Sequence, residues 1–365
     1  MTEAQKSCRF CEKRIRGATM SLYRRHLCCR CGHRTHHRCQ VTEEDRKRFA
    51  VGVPHICRAC LRDDHDPWPS PVEPRAGETL RIVAHADLHI GSKRDMLDGP
   101  PTAKDAAAMW QALWSYDARR IVDTLVEVRR RTPHVILLAG DLTINGTPDE
   151  MDDVERLIRR TLEPLVWAVV PGNHDLWSAR QLDQANRQAL LGAPLLKGAY
   201  PYRWALPGDL QVVGLFSPRV PVQLPDNAIG DLGDKQLCEL DSILRHLQAT
   251  ETKAIVMLHH PPRHHHGRHG LYKLCGATKL NDVLDRHPSA AVAITGHLHE
   301  GWLCRCGETA VVNVPSAGEH HAFVELEYDV QPGSIRSAQV VQRRPDGVFA
   351  TSPLQPCTVA TRKFA

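Results

Sequence analysis

Five short clusters of Asp, Asn and His residues carry the chemistry of this 365-residue sequence. The clusters are ADLH at 86–89, GDLTING at 140–146, GNHD at 172–175, HHPP at 259–262 and GHLHE at 296–300. Carboxylate, amide and imidazole donors suit divalent cations, and the absence of cysteine from all five clusters disfavours a purely structural zinc site. The donors are too many for one ion. They predict two cations ~3.5–4 Å apart, which can clamp a phosphate and activate water for in-line displacement.

Each cluster follows an apolar run with the composition of a β-strand. The runs are TLRIVAHA (79–86), HVILLAG (134–140), LVWAVVPG (165–172), AIVML (254–258) and AVAIT (291–295). Further strands are predicted at 211–216, 309–314 and 321–328, and an edge strand is predicted near 334–342. Apolar residues at helical spacing predict a helix within 105–131, and 148–162 begins with acidic residues, as a helix dipole prefers. Because strands and helices alternate, we expect a layered α/β or α+β domain. The clusters should meet at the carboxyl ends of its strands.

The set D-x-H, GD, GNHD, H and GHxH, in this order over roughly residues 80–328, resembles the calcineurin-like metallophosphoesterase superfamily. Within it, GDLTINGTPDE, VPGNHD, LHHPP and TGHLHE are most similar to the class III cyclic nucleotide phosphodiesterase and glycerophosphodiesterase branch. The resemblance implies a four-layer αββα sandwich and a phosphoester hydrolase, most similar to phosphodiesterases, with two divalent metal ions. The donor types suit manganese, iron and zinc alike.

The resemblance also implies a role for each matching residue. The seven implied metal ligands are Asp87, His89 and His299 for the first ion, Asn173, His259 and His297 for the second, and Asp141 as the bridge. A hydroxide shared by the metals is the implied nucleophile, and His174 is expected beside the leaving-group oxygen. His259 is preferred over its neighbour because related enzymes place the ligand two residues before the proline. His260 is then a supporting residue or a substrate contact.

The stretch GDLTING also bears on the substrate. The phosphoprotein phosphatase branch has an arginine soon after GD, which clamps a dianionic monoester. This chain has Asn145 in the stretch and no arginine there. We therefore expect phosphodiesters, or small monoesters held by the metals alone. HADLHIG (85–91) resembles the start of DNA-repair exonucleases of the same superfamily, so a metal-dependent nuclease is the alternative.

The first 62 residues form a separate module, which is basic and rich in cysteine. They carry 15 Lys and Arg against 5 Asp and Glu, and eight of the 13 cysteines of the chain. Eight donors, mostly in C-x2-C pairs, predict two closed zinc sites that stabilise a segment too short for an adequate core. The predicted ligands are Cys8, Cys11, Cys28, Cys31, His36, Cys39, Cys57 and Cys60, with Cys29, His33 and His37 as alternatives.

The order of four cysteines, one histidine and three cysteines resembles the PHD finger and, more loosely, RING-type fingers. The resemblance implies a cross-brace, with Cys8, Cys11, His36 and Cys39 on one zinc and Cys28, Cys31, Cys57 and Cys60 on the other. The basic excess favours an acidic protein or a nucleic acid as partner. A function of another class follows from this, in which the finger is an adaptor and the esterase domain its effector.

Composition divides the chain into the finger (1–62), a Pro-rich charged linker (63–78), a catalytic domain (79–345) and a tail (346–365). No apolar run reaches the ~18 residues that span a bilayer, and the first residues lack the apolar segment of a secretory signal. Many cysteines without an export signal indicate metal sites rather than disulfides. The prediction is a cytoplasmic protein without a membrane partner.

Overall fold

The structure is a computed structural model of the chain. It describes residues 26–27, 34–35, 79–91, 118–162, 165–176, 189–191, 193–195, 197–206, 210–219, 228–263, 273–330 and 333–356. All eight predicted zinc ligands, the linker at 63–78 and the first part of the helix predicted within 105–131 lie outside these residues. Within the described ranges, no helix combines the length and hydrophobicity needed to span a bilayer.

The described residues contain both strands and helices. In chain order they are β1 (His26–Leu27), β2 (Arg34–Thr35), β3 (Thr79–His85), α1 (Ala118–Arg130), β4 (Val135–Leu138), α2 (Pro148–Leu162), β5 (Val166–Val169), β6 (Ala189–Leu190), β7 (Ala193–Pro194), β8 (Tyr202–Leu206), β9 (Leu210–Gly214), β10 (Gly230–Asp231), α3 (Asp234–Ala249), β11 (Lys253–Met257), β12 (Leu274–Cys275), α4 (Ala277–Arg286), β13 (Ala290–Thr295), β14 (Trp302–Cys306), β15 (Thr309–Asn313), α5 (Ala317–His320), β16 (Ala322–Asp329), β17 (Ser334–Arg343), β18 (Phe349–Pro353) and β19 (Gln355–Pro356). Short 3-10 turns cover His174–Leu176 and Lys197–Ala199.

A six-stranded sheet has the order β18–β17–β16–β3–β4–β5. Strands β3, β4 and β5 are parallel, and β16, β17 and β18 extend the sheet in antiparallel pairs. All four residues of β4 are buried, as a parallel strand covered on both faces requires. Helices α1 and α2 pack on this sheet through apolar side chains three and four residues apart. These are Ile121, Leu125 and Val128 in α1, and Val154, Leu157 and Ile158 in α2.

A seven-stranded sheet has the order β19–β14–β15–β13–β11–β9–β8, and its four strands β15, β13, β11 and β9 are parallel. Successive side chains of β11 point to opposite faces. Ile255 and Met257 join the core shared with the first sheet, whereas Ala254 and Val256 join the core beneath α3 and α4. The seven-stranded sheet therefore lies between the six-stranded sheet and this pair of helices.

The mixed α/β class with more than one sheet is confirmed, and α2 has the predicted bounds 148–162. The predicted strand at 334–342 is present as β17, but β18 flanks it, so β17 is not an edge strand. Strand β14 was not predicted. Paired structure also continues past residue 345, where we expected the tail to begin, because β18 pairs with β17 and β19 pairs with β14.

Candidate metal centre

Every predicted active-site ligand lies just past the carboxyl end of a parallel strand. The positions are Asp87 and His89 after β3, Asp141 after β4, Asn173 after β5, His259 after β11, and His297 and His299 after β13. The first three strands belong to one sheet and the last two to the other. Both sheets therefore supply donors to one place, as strand ends do in α/β enzymes.

Five of these seven residues have a left-handed backbone. Their φ values are 53° at Asp87, 47° at His89, 52° at Asp141, 72° at His297 and 61° at His299. This conformation costs an L-residue other than glycine roughly 1–2 kcal/mol. It persists only where the surrounding structure imposes it, and such residues concentrate at functional sites. Hydrogen bonds between the loops impose it here, since Asp87 N donates to Gly140 O and His89 N to Asp141 O, both at 3.0 Å.

The first group of donors consists of Asp87, His89 and His299. One donor atom of each lies within 4.8 Å of the other two. Nε2 of His89 is 3.8 Å and Nε2 of His299 is 3.5 Å from Oδ1 of Asp87. Since both imidazoles direct Nε2 at one carboxylate oxygen, an ion between them would be held from three sides.

The second group lies across Asp141. Nδ1 of His259 donates to the carbonyl of Ala139 at 2.8 Å, so Nε2 points inward and lies 3.2 Å from Oδ2 of Asp141. The ring of His297 is 5.1 Å from that of His259, centroid to centroid. Asn173 is 2% exposed, and its Oδ1 has no hydrogen-bond partner within the described structure. These three side chains are the ones expected to hold the second ion.

Asp141 lies between the two groups. Its Oδ2 is 3.8 Å from Nε2 of His89 and 3.2 Å from Nε2 of His259, and its Oδ1 accepts a hydrogen bond from His174 N at 2.8 Å. A side chain at Gly172 would place Cβ only 2.1 Å from this Oδ1, so the GNHD loop can approach the carboxylate closely only with glycine there. Asp141 therefore contacts a histidine of each group, and it is the residue expected to bridge the two ions.

The two carboxylates are ionised at neutral pH. Burial acts to raise the pKa of Asp87, but hydrogen bonds from His299 and His89 outweigh it and hold that pKa well below its usual value. Burial opposes ionisation of Asp141 as well, and the charge of His259 is the main factor that lowers its pKa. Ionised carboxylates are the form that binds cations.

The histidines among the expected metal ligands divide into two kinds. Burial lowers the pKa of His89 to about 4 and that of His297 to about 3, so both rings are neutral and offer a lone pair. Burial also acts to lower the pKa of His259 and His299, but their neighbouring carboxylates outweigh it and raise these pKa values to about 9 and about 10. Protons on these two rings balance the carboxylates, and a dication would take over that role.

The donor set fits divalent cations. Oδ1 of Asn173 is buried and makes no hydrogen bond in the part of the chain that the structure describes. A buried polar atom left without a partner costs roughly 1–3 kcal/mol. Coordination would satisfy this atom. The mixture of carboxylate, amide and imidazole also suits manganese, iron or zinc, and does not choose among them.

His174 is positioned by the loop at 140–146. Its Nδ1 donates to the carbonyl of Ile144 at 2.7 Å, and its ring lies edge-on to His89 with centroids 4.7 Å apart. The next residue, Asp175, accepts hydrogen bonds from Gly172 N and from the backbone and hydroxyl of Thr143, each at 2.9 Å. Burial raises the pKa of Asp175 to about 6, and the charge of Asp141 adds to this effect.

His260 has no exposed surface. Its Nδ1 is 2.9 Å from Oγ of Ser217, and its ring packs 4.3 Å from that of His297. Of the two roles considered for His260, this burial favours support of His297 over contact with substrate. Ser217 follows β9, and nothing in its sequence context indicated a place in the site.

Two further carboxylates that the sequence analysis did not identify support the site. Oε1 and Oε2 of Glu150 accept hydrogen bonds from Nδ2 and N of Asn145, each at 2.8 Å. Oε2 of Glu319 accepts one from Nδ1 of His299 at 2.8 Å. The signal that could have located Glu319 is Ser-x-x-Glu at 316–319, the pattern of a capped helix start.

A mixed α/β fold with carboxylates and histidines gathered at its strand ends is the arrangement of a divalent metal centre. Residues 80–301 match the model of the calcineurin-like phosphoesterase family, and the chain belongs to that family. It is therefore a hydrolase of phosphoester bonds, and the fold implies a dinuclear divalent metal site with His and Asp ligands. The superfamily expected from the sequence motifs is confirmed.

Among curated proteins, the chain is 24% identical over 290 residues to one described as a probable cyclic nucleotide phosphodiesterase from Synechococcus sp., covering 76% of this chain and 93% of that protein. It is 24% identical over 224 residues to a 3',5'-cyclic-nucleotide phosphodiesterase from Nostoc sp., covering 60% and 72%.

Among solved structures, a dimetal phosphatase from Danio rerio aligns with a TM-score of 0.48 at 16% identity, covering 76% of this chain and 99% of that one. A purple acid phosphatase from yellow lupin seeds aligns with a TM-score of 0.48 at 13% identity, covering 79% and 56%.

Proposed function

We propose that this chain is a dinuclear-metal phosphodiesterase whose substrates are cyclic nucleotides or similar small phosphodiesters. The observation that carries the proposal is the convergence of donors from two sheets on Asp141, which lies within 4 Å of an imidazole from each group. The names of the two curated relatives support the choice of cyclic nucleotides. We assign Asp87, His89 and His299 to one ion, and Asn173, His259 and His297 to the other.

In the proposed reaction, the metal pair when bound supplies Lewis acidity at the phosphoryl oxygens and activates water. The chain itself moves a proton at the leaving group. Because Nδ1 of His174 is committed to the carbonyl of Ile144, proton donation to the leaving-group oxygen falls to Nε2. The hydrogen bond from His174 N to Asp141 keeps this ring in a fixed relation to the bridging carboxylate.

The surroundings of Asn145 support a diester over a monoester. The stretch 140–146 contains no arginine, and Asn145 gives both its backbone N–H and its Nδ2 to the buried carboxylate of Glu150. A dianionic monoester would gain no bidentate cation here. It would also approach a carboxylate that backs the loop. A diester carries one negative charge less and is disfavoured less by this arrangement.

A substrate panel with the full chain tests the proposal. Purified protein with added Mn²⁺ is assayed on cyclic AMP, cyclic GMP, bis(p-nitrophenyl) phosphate, p-nitrophenyl phosphate and single-stranded DNA. We expect the cyclic nucleotides or the synthetic diester to have a kcat/KM at least tenfold above the monoester. Asp141→Asn should remove this activity, while Asp241→Asn, on α3 away from the strand ends, should keep it. Faster turnover of the monoester would refute the diester assignment, and efficient cutting of DNA would establish the nuclease alternative.

We also propose that residues 1–62 bind two structural zinc ions. The supporting observations are the eight donors in finger order and the pairing of β1 with β2, which flank the predicted ligands Cys28 and Cys31 in sequence. Elemental analysis should give two zinc ions per chain that survive Asp141→Asn and are lost with Cys28→Ser. Zinc content unchanged by Cys28→Ser would contradict this part.

A further inference from the structure

The carboxylate of Glu319 lies behind one of the proposed ligands of the first ion. Its Oε2 accepts a hydrogen bond from Nδ1 of His299 at 2.8 Å, and Nε2 of the same ring lies 3.5 Å from Oδ1 of Asp87. We infer that Glu319 is a positioning residue, which orients His299 and thereby sets the affinity of the first metal ion. This inference rests on the proposed dinuclear site.

The hydrogen bond selects one state of the imidazole. With Nδ1–H donated to Glu319, the neutral ring carries its lone pair on Nε2, the nitrogen that faces Asp87. A carboxylate behind a metal-ligating histidine fixes the tautomer and the ring orientation, and it makes the ligating nitrogen more basic. Glu319 is placed to do all three for His299.

The segment that carries Glu319 also holds the backbone of the first group of ligands. Ser316 Oγ and Gly318 N both donate to the carbonyl of Asp87 at 3.0 Å, and Ser316 N donates to the carbonyl of His299 at 3.0 Å. Glu319 N in turn donates to Ser316 Oγ at 3.1 Å. Residues 316–319 are thus fixed to the backbone of Asp87 and His299, so the carboxylate of Glu319 has a defined position relative to the His299 ring.

A comparison with His259 shows why His299 needs a charged partner. The side chain of His259 is 0% exposed, so packing and the neutral carbonyl of Ala139 suffice to orient it. The side chain of His299 is 26% exposed and has less packing to hold it. A charged hydrogen bond is stronger than a neutral one and can replace the missing packing. The effect of Glu319 should therefore fall on the first ion only.

This role differs measurably from that of an ordinary ion pair. Glu319 is 36% exposed, and exposed ion pairs contribute little to the stability of the fold. Loss of a carboxylate behind a metal-bound histidine instead weakens metal affinity about 10–100-fold. Removing the carboxylate should thus leave the melting temperature of the metal-free protein nearly unchanged while the affinity for one ion falls.

The test is Mn²⁺ binding to the full chain after removal of the active-site metal. Titration against a competing chelator is performed on the wild-type chain, Glu319→Ala and Glu319→Gln. The control is Asp241→Asn, which breaks another carboxylate–histidine contact, 2.9 Å from Asp241 Oδ1 to His287 Nε2. We expect the wild-type chain to bind two Mn²⁺. One of the two should bind about 10–100-fold more weakly in Glu319→Ala, and its loss of affinity should be smaller in Glu319→Gln. Both ions should keep their affinity in the control.

Three outcomes would overturn the inference. Two unchanged affinities in Glu319→Ala would exclude the positioning role. Equal weakening of both ions together with a lower melting temperature would show that Glu319 only maintains the fold. A wild-type chain that does not bind two Mn²⁺ would refute the dinuclear site itself, and the inference with it. If the wild-type chain binds two Mn²⁺ and Glu319→Ala binds them with the same affinities, only the inference fails and the proposed function stands.

Discussion

Replacing Thr143 by valine should destabilise the protein and slow catalysis, although it changes almost no volume. The hydroxyl of Thr143 is buried, donates to Oδ1 of Asp175 at 2.9 Å and accepts from Gly146 N at 3.1 Å. Valine keeps the shape and removes both hydrogen bonds. The carboxylate of Asp175 then loses one of the three donors described for it, and a buried N–H loses its acceptor.

The size of the effect follows from these two losses. A hydrogen bond to a charged group contributes about 1.5–3 kcal/mol, and an unsatisfied buried N–H costs about 1–3 kcal/mol. Contributions within one network are not additive, so we expect a loss of about 3 kcal/mol in the free energy of unfolding. For a domain of this size, this corresponds to a fall of about 6–12 °C in melting temperature. Because Thr143 also holds the loop that carries His174, kcat should fall by roughly 10–100-fold.

The matched control is Thr161→Val in α2. Thr161 is also fully buried, but its Oγ1 makes no hydrogen bond within the residues described. Its replacement should leave stability within about 1 kcal/mol or increase it, because an unsatisfied hydroxyl is removed. Both variants are compared by thermal and urea unfolding and by steady-state kinetics. If the two substitutions have equal effects, the network around Asp175 does not stabilise the site and the reasoning is wrong.

Three further predictions concern single positions. Asp141→Asn should lower turnover roughly 10³-fold, since loss of the bridging charge removes about 4 kcal/mol of transition-state stabilisation; initial rates measure this, and wild-type turnover would contradict it. His174→Gln should keep two active-site metal ions by elemental analysis while kcat falls about 10²–10⁴-fold, and loss of metal would show that His174 is a ligand instead. Asp241→Asn should lower the melting temperature at pH 7, because a hydrogen bond from His287 lowers the pKa of Asp241. That stabilisation is present above the ordinary pKa of 3.8 and is lost as the pH falls through the lower pKa of the folded state. The difference in melting temperature between variant and wild type should therefore close below pH 3.8. A difference independent of pH would exclude the charge of Asp241 as its cause.

The main elements could be predicted from the sequence because buried parallel strands are continuous apolar runs that end in polar clusters. Strand β4 is an example. The helix at 148–162 could be predicted because it begins with acidic residues, as a helix dipole prefers. Strand β14 was missed because its inward residues Cys304 and Cys306 lie in a short stretch, CRCG at 304–307, that has the composition of a turn. In the structure they are 7% and 2% exposed and alternate with exposed Arg305, so they occupy ordinary strand positions on the buried face.

The site was predicted where donors lie in short motifs, and missed where they do not. Asp141 and His259 come from GD and HHPP, whose residue types and order suffice to propose a ligand. Glu319 contacts a ring 20 positions away, and Glu150 contacts an amide across the start of α2. The Ser-x-x-Glu pattern at 316–319 marks a helix start, but no local pattern shows which side chain either glutamate contacts. Their roles depend on how the loops pack, which only the three-dimensional structure shows.

Strand β19 pairs with Trp302 and Leu303 of β14 at the margin of the seven-stranded sheet. It follows every other described strand in the chain, and it comes directly after β18 of the six-stranded sheet. During synthesis on the ribosome, β14 would therefore keep an open hydrogen-bonding margin until residues 355–356 emerge. Such a margin invites association with other chains, so this protein should depend on chaperones more when translation is slow or stops before β19.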